Sequence, residues 1–62
     1  MGEILELRRS IGLSQQEGAA LLTVPLETFR AWDSGRRRVP TATLQRARTI
    51  VAEHARQTEL LP

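Results

Sequence analysis

Apolar residues recur at Ile4, Leu7 and Ile11, which is the i, i+3, i+7 spacing of one face of a helix. This pattern predicts a first helix from about Glu3 to Ser10, with the apolar stripe turned toward the core. Gly12 follows closely, and a glycine in this place is typical of a helix end.

The next segment carries a helix-start signal at Ser14. Ser14 and Glu17 are three residues apart and can form a capping box, in which each side chain accepts a hydrogen bond from the other residue's backbone amide. We therefore expect a second helix from Gln15 to Leu22. Pro25 ends this stretch, because it fixes its own φ and disfavours helical geometry in the residue before it. A proline suits a helix start, so a third helix is expected to begin there.

The third helix is expected to span about residues 26 to 34. Phe29 and Trp32 are three residues apart and share one face, which we interpret as the buried one. At about 100° per residue, the opposite face carries Glu27, Arg30, Ala31 and Ser34. Gly35 then allows the chain to leave the helix with a positive φ. An outward face of mixed polar residues is thus predicted to be open to a ligand.

The last part of the chain has no glycine or proline from Ala42 to about Thr58, which favours one long helix, with Thr41 as its cap. One side of this helix carries Leu44, Ala47, Val51 and Ala55, with Ile50 and His54 at its edge. The predicted fold class is all-α, a compact bundle of four helices, or five if this segment breaks. We interpret residues 1–62 as a single domain and residues 42–62 as a candidate dimerisation element.

The length of 62 residues limits what the core can supply. A chain of this size buries only roughly 60% of the surface that its unfolded form exposes. Without cysteine, no disulfide can supplement the core, so a second copy of the chain is the expected supplement. No apolar run reaches the roughly 20 residues of a membrane span, and the N-terminus does not have the pattern of a signal peptide. We expect a soluble, cytoplasmic protein.

The net charge is only +2, but the positive charge is concentrated between Arg30 and Arg48, where there are six arginines and one acidic residue. All nine cations of the chain are arginine. Arginine can meet phosphate or guanine with two parallel hydrogen bonds, whereas lysine offers a point charge. A lysine-free composition also follows from coding bias, so composition alone does not decide for a nucleic-acid partner.

These positions together resemble the Cro/C1-type (Xre family) helix-turn-helix proteins, which include phage repressors and antitoxins and have a lambda-repressor-like fold. The resemblance covers about Ile4 to Leu44. It rests on many positions at set spacings, which here read Ile4, Arg8, Ser14-Gln15, Ala19, Thr23-Val24-Pro25, Phe29, Trp32-Asp33-Ser34-Gly35, Arg36-Arg37-Arg38 and Pro40.

The resemblance implies structural roles for four of these residues. Ala19 is expected where helices 2 and 3 cross closely, and Val24 is expected to insert the turn into the core. Arg8 and Asp33 occupy positions that form an ion pair in the family, which would tie helix 1 to the end of helix 3. Aspartate is one methylene shorter than the usual glutamate, so a strained or water-bridged pair is an alternative.

Three residues depart from the family pattern. Thr23 replaces the glycine of the turn, Pro25 replaces the residue that normally caps helix 3, and Gly18 stands where a large apolar residue usually fills the core. A helical glycine costs up to about 1 kcal/mol relative to alanine, and a persistent void costs roughly 2 to 5 kcal/mol more. Trp32 is expected to fill part of that space.

By resemblance, the DNA contacts divide into two sets. Base readout is expected from Leu26, Glu27, Arg30 and Ala31; contacts to the DNA phosphates are expected from Gln15, Gln16, Ser34, Arg36, Arg37 and Arg38. Arg30 can bridge O6 and N7 of guanine, and Glu27 can accept from N4 of cytosine.

Plainer interpretations exist for most of these residues. Glu27 and Arg30 can pair with each other at i, i+3 and stay solvated. The glutamines and the arginine run can be solvated surface, and Arg46 and Arg48 can simply flank the last helix.

Other chemistry has little support in the sequence. His54 is the only histidine and has no second metal ligand nearby in the sequence, so neither a metal site nor a cofactor is predicted. The serines have no evident base, so we expect no enzymatic activity. The favoured function is a transcriptional regulator, most simply a repressor, that binds double-stranded DNA as a homodimer. The alternative is a protein-interaction module, such as an antitoxin that binds a toxin, with DNA contact secondary or absent.

Overall fold

The computed structural model describes the backbone of residues 2–60 and the side chains of residues 2–57. It contains four α-helices: α1 (Glu3–Ser10), α2 (Gln15–Leu22), α3 (Leu26–Asp33) and α4 (Thr41–Leu60). No strand occurs in this part of the chain, so the predicted all-α class is confirmed. The final segment is one continuous helix and does not break into two.

The helix starts follow the local signals closely. The Ser14 hydroxyl accepts from the Glu17 backbone N–H at 3.1 Å, and the Glu17 carboxylate accepts from the Ser14 backbone N–H at 2.8 Å, so the predicted capping box is present. The prediction that Thr41 caps the last helix is wrong, because Thr41 is the first residue of α4 itself. The Leu44 backbone N–H already bonds to the carbonyl of Pro40 at 3.0 Å, which places the proline before the helix.

The first three helices end in the same way. The residues after them, Gly12, Thr23 and Gly35, have positive φ values of 68°, 58° and 81°. In each case the next residue's backbone N–H reaches back five residues to a helix carbonyl, as when Val24 bonds to Ala19 at 3.0 Å. Thr23 is therefore held in a left-handed conformation where the two equivalent ends use glycine. A branched residue in this conformation costs about 1–2 kcal/mol.

We expect Thr23→Gly to raise the free energy of unfolding by about 0.5–1 kcal/mol. The relief of strain exceeds the added chain entropy of glycine in the unfolded state, which is about 0.4–1 kcal/mol. Urea denaturation followed by Trp32 fluorescence measures the change. The matched control is Gly12→Thr, because a Cβ at Gly12 meets nothing within 4 Å and only the backbone conformation is tested. Gly12→Thr should lower the free energy of unfolding. If Thr23→Gly leaves it unchanged, the left-handed conformation of Thr23 is not strained.

The core lies where the four helices meet. Phe29 on α3 is the most deeply buried side chain, at 1% exposure, and Trp32 is buried beside it, as the sequence predicted. The expectation that Trp32 fills the space at Gly18 is wrong. The Phe29 ring fills it instead, because a Cβ on Gly18 would lie only 2.6 Å from the Phe29 Cζ atom. Glycine on α2 thus allows a large ring on α3 to approach the helix backbone.

The long helix α4 extends past the other three. At about 1.5 Å per residue its 20 residues span about 30 Å, and the molecule measures 39 × 20 × 20 Å. Ala47 is buried and Leu44, Ile50 and Val51 are half-buried, whereas residues 52–57 are exposed. Part of the candidate dimerisation element, residues 61–62 and the side chains of 58–60, lies outside what the structure describes. None of the described helices has the length and apolar composition to cross a membrane.

Candidate nucleic-acid interface

The outward face of α3 is formed by Glu27 and Arg30. Their side chains are 85% and 52% exposed, and Arg30 Nη1 lies 3.8 Å from Glu27 Oε1. The two groups form an ion pair but no hydrogen bond, because their separation exceeds hydrogen-bond distance. The i, i+3 pairing that the sequence left open is therefore present, but it leaves both groups in solvent and able to bind elsewhere. Leu26 beside them is half-buried and packs partly against the core.

The prediction that Ala31 lies on the outward face of α3 is wrong. It is only 7% exposed, so its methyl group is not available to a base edge. The chain after α3 folds back over it: the backbone N–H groups of Arg36 and Arg37 donate to the Ala31 carbonyl at 3.0 and 3.2 Å, and the Ser34 hydroxyl donates to it at 3.2 Å. Counting positions around the helix could not show this, because the fold-back comes from residues beyond the helix.

The same fold-back shapes the basic loop. α3 ends at Asp33, one residue earlier than expected, and Ser34 lies in the exposed turn that follows. Arg36, Arg37 and Arg38 are all exposed, and within the described side chains none of them forms an ion pair. The Ser34 hydroxyl also accepts from Arg36 Nε at 3.3 Å. Three guanidinium groups therefore follow the outward face of α3 directly, with their charge unneutralised.

Arg8 and Asp33 form a bidentate ion pair beneath this surface. Arg8 Nε and Nη2 donate to the two carboxylate oxygens of Asp33, each at 3.0 Å, and Arg8 Nη1 donates to the Leu13 carbonyl at 2.9 Å. The side chains are only 16% and 6% exposed. The shorter aspartate thus reaches Arg8 directly, without a bridging water. The pair fixes the C-terminal end of α3 to α1 and to the turn before α2.

Gln15 joins this ion pair. Its Nε2 donates to Asp33 Oδ2 at 3.0 Å, so its amide points inward, whereas Gln16 is exposed. Burial raises the pKa of Asp33, but the hydrogen bonds from Arg8 and Gln15, together with the charges of Arg8 and Arg9, outweigh burial and lower the pKa below its usual value. A phosphate contact by Gln15 stays a prediction, and the Nε2 atom would have to leave Asp33 to make one.

Two arginines of α4 have partners that the sequence did not reveal. Arg46 Nη1 donates to the Leu22 carbonyl at 3.4 Å and so covers the end of α2. Arg48 forms a bidentate pair with Glu3, with Nη2 at 2.7 Å from Oε1, and this hydrogen bond lowers the pKa of Glu3. The partners are 24 and 45 residues apart in the chain, so no local spacing signals them. Both arginines stabilise contacts within the protein.

The surface offers hydrogen-bonding and charged groups. Among the described residues, no group of three His, Cys, Asp or Glu is placed to hold a metal ion, and His54 is exposed on α4. Comparison with family models, curated proteins and solved structures finds no match for this chain. What the surface can do therefore follows from its own chemistry: four exposed guanidinium groups and one carboxylate arranged on a helix and the loop after it.

Proposed function

We propose that this chain is a Cro/C1-type helix-turn-helix protein that binds double-stranded DNA sequence-specifically and regulates transcription, most simply as a repressor. The observation that carries the proposal is the exposed face of α3, with Arg30 and Glu27 in solvent. Directly after it come Arg36, Arg37 and Arg38, which have no acidic partner among the side chains that the structure describes. The major groove is about 12 Å wide and admits an α-helix. In this proposal α3 lies in the groove and the loop binds phosphates.

The packing beneath α3 supports this arrangement. α2 and α3 are joined by residues 23–25 and pack against each other, with Ala19 buried between them at 4% exposure and Val24 half-buried in the turn. Two helices in this arrangement are the usual scaffold of a recognition helix. The Arg8–Asp33 pair restrains the far end of α3. A recognition helix needs such restraint, because loose side chains discriminate poorly between bases.

The proposed active form is a homodimer. Dimers of this class bind two half-sites about one helical turn, or roughly 34 Å, apart. The half-buried Ile50 and Val51 of α4, next to the 41% exposed Leu21, supply an apolar surface for a second copy. Sedimentation at several concentrations tests the dimer, since a monomer throughout contradicts it.

The salt dependence of DNA binding tests the basic loop. Each neutralised phosphate contributes about −0.9 to the slope of log affinity against log salt, so removing three contacts should flatten the slope by up to about 2.7 per subunit. We expect the triple variant Arg36→Ala/Arg37→Ala/Arg38→Ala to show this loss on every duplex. The measurement is fluorescence anisotropy with duplexes enriched from a random library, at several salt concentrations.

Arg56→Ala is the matched control for a single loop arginine, because Arg56 is also exposed but lies on the far part of α4. It should leave the slope nearly unchanged, whereas Arg37→Ala should reduce it by about 0.9 per subunit. An unchanged slope in the triple variant would exclude the loop as the phosphate contact. If no duplex is enriched from the library, the DNA-binding proposal itself is wrong.

A second candidate function is the protein-interaction module, such as an antitoxin. A small apolar cleft of about 30 Å³ favours it, with Leu13, Leu21, Ile50 and Val51 among the residues that line it. Leu21, which lines this cleft, is 41% exposed, so an apolar side chain is accessible to a partner protein there. The two candidates differ in the duplex experiment. A pure interaction module would enrich no duplex sequence from the library, and its loop arginines would add only sequence-independent affinity.

A further inference from the structure

We infer that Glu27 and Arg30 act as one unit that reads a single G·C base pair in the major groove. The inference rests on the proposed function and adds the base pair that α3 selects. It follows from two observations: the two charged groups lie 3.8 Å apart on the exposed face of α3, and the two side chains have opposite hydrogen-bonding character.

The separation of the two side chains suits a shared target. Arg30 Nη1 and Glu27 Oε1 are 3.8 Å apart, which is longer than a hydrogen bond. Both groups therefore keep their hydrogen-bonding positions available while they lie side by side. In a G·C pair, guanine O6 and cytosine N4 are themselves hydrogen-bonded at about 2.9 Å. Two side-chain groups less than 4 Å apart can thus meet neighbouring atoms of one base pair.

The chemistry of the two side chains selects among the four base pairs. A guanidinium group only donates hydrogen bonds, and a carboxylate only accepts them. The major-groove edge of G·C presents two acceptors, N7 and O6, followed by one donor, the N4 amine. Two donors from Arg30 and one acceptor from Glu27 complement this order completely.

An A·T pair does not match. Its edge alternates acceptor, donor and acceptor, followed by the thymine methyl group. A carboxylate that accepted from adenine N6 would lie beside the thymine O4 acceptor, and the guanidinium would find only N7. The same pair of side chains therefore disfavours A·T by leaving polar groups unpaired, which costs more than the lost hydrogen bond itself.

Glu27 also acts as a filter against other sequences. A carboxylate on a surface that approaches phosphates is repelled by them, and only a donor on a base edge offsets this cost. Glu27→Gln should therefore bind unselected duplexes more tightly than the wild type and discriminate less between sequences. Arg30→Gln should lose both affinity and discrimination.

The test is a selection from random duplexes, carried out in parallel for the wild type, Glu27→Gln and Arg30→Gln. We expect one position of the half-site to be G·C for the wild type and to lose its preference in both variants, by on the order of tenfold. The matched control is Glu53→Gln/Arg56→Gln, which removes an exposed Glu and Arg of the same i, i+3 spacing on α4. The control should retain the wild-type preference.

Atom substitutions in the selected duplex then test the two contacts separately. N4-methylcytosine at that position replaces the groove-side hydrogen of N4 and should weaken the wild type by on the order of tenfold, but not Glu27→Gln. 7-Deazaguanine removes N7 and should weaken the wild type, but not Arg30→Gln. If the two variants lose preference at different positions, or if the substitutions act equally on all proteins, the single-pair inference is wrong while DNA binding stands. If no duplex is enriched for the wild type, both are wrong.

Discussion

Arg8→Ala is expected to lower the free energy of unfolding by roughly 3–5 kcal/mol, because it leaves a buried carboxylate without its partner. Asp33 is only 6% exposed, and two of the hydrogen bonds to its carboxylate come from Arg8. Gln15 alone would remain to bond the carboxylate. A loss of this size is a large share of the 5–15 kcal/mol by which ordinary domains are stable, so a 62-residue chain should be mostly unfolded at elevated temperature.

Urea denaturation with Trp32 fluorescence measures this loss, since Trp32 is the only tryptophan. The matched control is Arg48→Ala, which removes an equally bidentate pair with Glu3 at the exposed surface and should cost far less. The double variant Arg8→Ala/Asp33→Ala should recover part of the loss, because no charge is then left buried. A single variant as stable as Arg48→Ala would show that the buried pair does not hold α1 to α3.

The contribution of Asp33 to the pH dependence of the free energy of unfolding should change sign when Arg8 is replaced. In the wild type the pKa of Asp33 is lowered below 3.8, so the pair adds stability above that pH and loses it as the pH falls through the folded-state pKa. Without Arg8, burial acts against fewer opposing contacts and the folded state favours the protonated carboxyl. The loss caused by Arg8→Ala should therefore shrink as the pH falls toward 3.8 and continue to shrink below it, measured as the difference in urea midpoint between the two proteins.

Local signals in the sequence were sufficient to predict the four helices and their approximate bounds. Gly12 and the Ser14 capping box fixed the bounds of α1 and α2, because these signals act within one turn of the residues they govern. α4 starts at Thr41, one residue before the predicted Ala42, because the Pro40 carbonyl already accepts a helical hydrogen bond.

The candidate site was less predictable where it depended on contacts between distant residues. The exposure of Glu27 and Arg30 followed from helical periodicity, whereas the burial of Ala31 depended on where the loop after α3 returned. The inward bond of Gln15 to Asp33 also required knowledge of the tertiary fold. What α3 binds stays a prediction for the duplex experiments.

The contact between Gly18 and Phe29 gives the second large effect. Phe29→Ala should lower the free energy of unfolding by roughly 3–5 kcal/mol, because it empties the centre of the core. Gly18→Leu should lower it by about 1–3 kcal/mol through overpacking, since even a Cβ would lie 2.6 Å from the Phe29 ring. The gain in helix propensity, about 1 kcal/mol, offsets only part of this.

The two changes together should cost less than the sum of their separate costs. In Gly18→Leu/Phe29→Ala the new leucine enters the space that the ring has left, so a large side chain from α2 replaces the one from α3. We expect a favourable coupling of about 1–3 kcal/mol in a double-mutant cycle followed by Trp32 fluorescence. Ala20→Leu is the matched control on α2, because Ala20 is exposed and its combination with Phe29→Ala should be additive. Additive losses at Gly18 and Phe29 would mean that the ring and the glycine do not share one space, and that this chain tolerates its core glycine for another reason.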